Sequence, residues 1–136
     1  MSIGSAESIR ALAGRTLTKL PIDSQFLAMF IHAVYFWLRP DLQPADRDRF
    51  TTGLRCLRGI EGVEHGYIGV PAPTNRPVIE RGYSNSLVLI FPDKAAHDAY
   101  QVHPVHDRFR EECGAFWTTV RIFDSVTEDN ASAPTR

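Results

Sequence analysis

Cysteine is nearly absent: Cys56 and Cys113 are the two the chain has. They lie far apart in sequence and match no zinc or redox spacing, so they read as reduced thiols of a cytoplasmic protein. A basic surplus is also missing, since 15 Lys and Arg stand against 16 Asp and Glu for a net charge of −1. Binding nucleic acid through phosphates requires cations gathered on one face, so by composition the chain is not a basic nucleic-acid binder and only a local basic patch stays open. Arg39, Arg47, Arg49, Arg55 and Arg58 alternate with acids and read as a solvated helix face. No stretch reaches the ~20 apolar residues of a membrane span. The first fifteen residues carry Glu7 and no long apolar segment, unlike a secretory signal. A nucleophile elbow, a phosphate-cradling glycine loop and a metalloprotease motif are all missing, and Gly66, Gly69 and Gly82 read as strand and turn glycines.

What remains is 136 residues, 43% of them hydrophobic, enough for one domain with a proper core. Residues 1–26 read as an N-terminal extension, with Ser5 to Ser8 able to cap a short helix before Gly14 and Pro21. Residues 27–126 form the domain, and the polar segment 127–136 is expected to be a disordered tail. The apolar, β-branched and aromatic run Leu27–Leu38 is a strand closed by Arg39-Pro40. Pro44-Ala45-Asp46 opens a helix that Gly59 stops, with Phe50, Leu54 and Leu57 on its inward stripe. Strands are expected at Gly62–Val70, Ser84–Phe91 and Thr118–Asp124. A helix begins after Pro92-Asp93, is interrupted at His103-Pro104, and a further one runs from Pro104 through Cys113.

The order is β-α-β-β-α-β, a ferredoxin-like α+β fold with a four-stranded antiparallel sheet. Helices cover one face only. The other would carry Ile31, Tyr35, Trp37, Val88 and Ile90, or the equally apolar alternate set. Such a face seldom stays in water, so pairing of two copies through their sheets into a dimeric α/β barrel is expected.

Of five histidines, His97 reads as a surface helix residue and His65 as a solvated strand residue. His32 sits inside an apolar strand, where an imidazole needs a partner; a satisfied core histidine and a functional one both remain open. In Tyr100-Gln101-Val102-His103-Pro104-Val105-His106, Pro104 breaks the helix and sets His106 in the first turn of the next. The positive helix end there favours the neutral imidazole of a general base. The plain alternative is that His103 caps and His106 closes the turn. No carboxylate or cysteine trio accompanies the two, and no metal site is expected.

The segments Phe30–Val34, Gly59–Val63, Arg81–Asn85 and above all Ala99–His106 followed by Phe109 resemble the stress-responsive α/β-barrel (Dabb) family over residues 28–126. The resemblance implies a homodimer joined through the sheet face and a small apolar ligand pocket. Most members have no established reaction. One plant branch is a polyketide cyclase that closes a poly-β-keto chain by intramolecular aldol condensation. By this likeness Tyr100 and His106 would be catalytic, and His32, Val34, Phe36, Phe50, Leu54, Leu87, His103 and Asn85 would contact substrate. Asn85 is a departure, because the family usually has histidine there and asparagine cannot titrate. A ligand-binding stress protein and a cofactor-free cyclase or isomerase are therefore the two readings. A related haem-degrading or quinol-oxidising monooxygenase would need a histidine constellation that is not assembled here.

Overall fold

Alternation along Phe30–Leu38 (β1) sends Phe30, His32, Val34 and Phe36 to one side, where all four are buried. This computed structural model describes residues 28–128. The expected extension at 1–26 and all but the start of the expected tail therefore lie outside the described residues. The tail's first residue is not loose: the Thr127 N–H donates to the Met29 carbonyl, and its hydroxyl accepts from the Met29 N–H at 2.9 Å.

The sheet runs β2-β3-β1-β4, with β2 at His65–Gly69, β3 at Asn85–Phe91 and β4 at Trp117–Val126, every neighbouring pair antiparallel. The second strand is shorter than Gly62–Val70 because Gly62, at φ +97°, takes a left-handed turn before the ladder starts. Three helices occupy one face: α1 (Pro44–Arg58), α2 (Lys94–Gln101) and α3 (Pro104–Cys113). Pro44 opens α1, and the Gly59 N–H closes it on the carbonyls of Arg55 and Cys56, with the Ile60 N–H donating to that of Leu57. The Asp93 carboxylate caps α2 by accepting from the Ala96 N–H at 2.9 Å. Pro104 cannot donate to α2, so α3 starts afresh there.

Phe50, Leu54, Leu89 and Phe91 are fully buried between helices and sheet, each contributing about 2–3 kcal/mol. On the opposite face, Ile31, Tyr35, Trp37, Val88 and Ile90 are half-buried. Tyr83, from the loop before β3, leans on Tyr35 at 5.0 Å and Trp37 at 6.2 Å between ring centroids. Tyr67 and Phe123 stay largely exposed. Among the described residues no helix is long and apolar enough to cross a membrane.

Helices α1 and α3 pack at Gly53, where an added Cβ would stand 2.7 Å from Cδ1 of Phe109. That ring has little room to shift, because it stacks on Trp117 at 5.7 Å and abuts Phe36 and Phe50. Gly53→Ala gains about 1 kcal/mol in helix propensity but overpacks a filled site, which costs about 1–3 kcal/mol. A net loss of about 1 kcal/mol is expected, read from the urea midpoint at constant slope.

Candidate active site

The inward face of β1 and its two neighbours forms the floor of a cavity of about 220 Å³. Register does the positioning: Val34 stands opposite Leu87 on β3 and Ile122 on β4, and Phe36 stands opposite Val120. These five side chains and His32 supply the sheet side. The helices supply Leu57, Tyr100, Gln101, His106, Phe109 and Arg110, while Trp117 at the start of β4 closes one end.

Tyr100, in the last turn of α2, is 1% exposed, and burial raises its hydroxyl pKa well above the usual tyrosine range. It therefore stays protonated and can donate. Pro104 turns the chain so that His106 lies edge-on to the Tyr100 ring, with centroids 5.0 Å apart. Burial, then the positive charge of Arg110, lowers the His106 pKa, with Asp107 opposing. The neutral imidazole expected from the helix end is thus favoured here first by desolvation. Its Nδ1 is buried and has no hydrogen-bond partner among the described residues.

His32 is 3% exposed and its Nδ1 lies 2.6 Å from the Asp124 carboxylate. An ionised carboxylate only accepts, so Nδ1 carries the proton and Nε2 keeps its lone pair. Burial lowers the His32 pKa more than Asp124 raises it, and His97 lowers it further. His97 corrects the surface assignment: it is buried and stacks on Phe30 at 4.1 Å, because its position on α2 faces β1 rather than solvent. Among the described residues, the donor atoms of His32, His97 and Asp124 lie within 4.8 Å of one another. Two imidazoles and a carboxylate suit a divalent transition metal, but an ion there would displace the His32–Asp124 hydrogen bond.

Of the residues expected at the site, His106, Tyr100, His32, Val34, Phe36 and Leu87 come together around the cavity. Phe50 and Leu54 do not line it; they are fully buried behind it, and Leu57, one turn further along α1, reaches it instead. His103 is the N-cap of α3, its Nδ1 accepting from the Val105 N–H at 3.0 Å. Asn85 opens β3 opposite Phe36 and does not line the cavity. Sequence reasoning missed Gln101, Arg110, Trp117 and Asp124 as site residues. Asp124 shares parity with Val120 and Ile122 on β4, and Arg110 follows His106 by one helical turn, so both had a periodic signal.

Both pocket histidines have folded pKa values below the ordinary 6.5. The native state therefore binds fewer protons than the unfolded chain, and its advantage is complete above pH 6.5 and lost as pH falls below it. The melting temperature is expected to fall between pH 7.5 and 5, and His106→Asn to make that fall shallower, as scanning calorimetry across a pH series will test.

The family model of the stress responsive A/B barrel domain, Dabb, matches residues 30–127. Comparison with curated proteins gives no match. Among solved structures, a Dabb family protein with a ferredoxin-like fold from Mesorhizobium loti is 25% identical with a TM-score of 0.60, over 74% of this chain and 97% of that one. A dimeric ferredoxin-like protein of unknown function from Jannaschia is 27% identical with a TM-score of 0.58, over 71% and 97%. The hydroxynitrile lyase of Passiflora edulis, 14% identical with a TM-score of 0.62 over 74% and 94%, shares the fold alone. The family match spans well over half the sequence, and the chain belongs to the stress responsive A/B barrel domain (Dabb) family.

Proposed function

We propose that the protein is a homodimer that binds a small, largely apolar carbonyl compound in the cavity between sheet and helices. The observation that carries this reading is the cavity's composition: aliphatic and aromatic walls, with His32, Tyr100, Gln101, His106 and Arg110 as its polar groups. Apolar walls with few convergent polar groups are the usual make-up of a small-molecule site.

The meeting of His106 and Tyr100 at the cavity, with ring centroids 5.0 Å apart, favours a second reading, a cofactor-free cyclase or isomerase. A neutral imidazole can remove the acidic proton between two carbonyls, and a protonated phenol can hydrogen-bond the oxygen on which enolate charge grows. In an aldol closure the resulting carbanion attacks a second carbonyl of the same chain, and His106 returns its proton to the new alkoxide. The step needs a base and a donor and nothing further. With a linear 3,5,7-trioxoalkanoate thioester, His106→Ala and Tyr100→Phe are each expected to slow cyclisation about a hundredfold or more. Equal rates in all three proteins would end the catalytic reading. Quenching of Trp117 fluorescence by the same compound would still test binding.

The dimer rests on the sheet face away from the helices, where Ile31, Tyr35, Trp37, Val88, Ile90 and the exposed Phe123 form an apolar surface. Dimeric relatives of the same fold support it. Sedimentation at micromolar concentration is expected to give twice the mass of one chain, and Val88→Arg to give folded monomers. Monomeric wild type would overturn it.

A further inference from the structure

Among the described residues, Arg110 is the one Lys or Arg whose side chain lines the cavity, and no carboxylate lines it. Arg110 lies one turn after His106 on α3, so the two share a helix face. Its charge is felt at His106, where it ranks next to burial in lowering the imidazole pKa. Acids stand close by in sequence, but Asp107 and Glu111 line the adjoining cleft, which meets the cavity at Arg110 and Trp117. Among the described residues no carboxylate lies within 4.0 Å of Arg110, as holds for most of the other arginines; Arg110 differs from them in lining the cavity.

A guanidinium at the mouth of an apolar cavity, with no carboxylate in direct contact, can receive an anion. We propose that Arg110 recognises a carboxylate at one end of the ligand, which holds the ligand's carbonyl region beside His106 and Tyr100. This rests on the ligand-binding reading above and names the class of ligand: a short, largely apolar carboxylic acid. Carboxylate is favoured over phosphate by charge count. One guanidinium balances one negative charge in a two-pronged hydrogen bond. A phosphate monoester carries close to two charges, and the lining residues offer no second cation to balance it. Size agrees, since about 220 Å³ falls below the range of pockets for drug-sized ligands.

Trp117 lines the cavity and Trp37 lies on the opposite sheet face, so binding reads out in tryptophan fluorescence. The probes are 3-oxooctanoate and its methyl ester, which share a chain and differ in charge. Wild type is expected to bind the acid about tenfold more tightly than the ester, a preference that weakens with added salt because Arg110 is exposed. Arg110→Gln should bring the acid to within twofold of the ester, and Arg110→Lys, which keeps the charge but loses the fork, should fall between. Circular dichroism checks that both variants fold. If the wild type binds both probes equally, or if the preference survives Arg110→Gln, the carboxylate assignment is wrong while the pocket stands. If neither probe binds, the ligand-binding reading fails and the assignment with it.

Discussion

The helical layer is narrower than the sheet it covers, and the candidate site follows from that mismatch. Helices α1, α2 and α3 bury the inward faces of β1 and β3, where Val34, Leu87, Leu89 and Phe91 are almost fully enclosed. The fourth strand projects past them, leaving Val120 37% and Ile122 52% exposed on the same face. An overhang walled by apolar side chains on three sides is a cavity. The junction of α2 and α3 stands over it, so the residues around Pro104 face the open space rather than the core.

Two histidines look into this space under different constraints. His32 is held by Asp124, which fixes its tautomer and leaves Nε2 as an acceptor. His106 has no such holder, and its buried Nδ1 goes without a partner. A polar atom left unsatisfied in a folded core costs about 1–3 kcal/mol. His106 carries that cost, and this separates it from His103, whose nitrogen is used up in capping α3. The same sequence motif thus contains one histidine that builds the helix and one that faces the cavity.

The architecture was legible because it rests on local periodicities. Alternation assigned both faces of β1 and β3, and Pro44, Gly59 and Pro104 marked the helix ends. The site was legible only in part, because it depends on long-range register. Asp124 meets His32 through the β1–β4 pairing, which no local pattern specifies. His97 was misread because polarity suggests solvent, whereas a neutral imidazole stacks on an aromatic ring as well as a hydrocarbon does. The helical stripe placed Phe50 and Leu54 facing inward, as they are; their assignment to the ligand came from the family likeness, and they lie fully buried behind the cavity wall. Arg110 follows His106 at a spacing of four, but only the narrow helical layer reveals that this face borders a void.

Phe109 belongs to both the helix interface and the cavity wall, with Gly53 behind it and the ligand space in front. Positions 53 and 109 therefore divide one fixed volume between them. Chains that trade a larger residue at the first for a smaller one at the second can keep their packing density while redrawing the far wall. Ligand size in this fold can drift through a pair of residues that carry no polar chemistry, while the groups that hold a proton or a charge stay where they are.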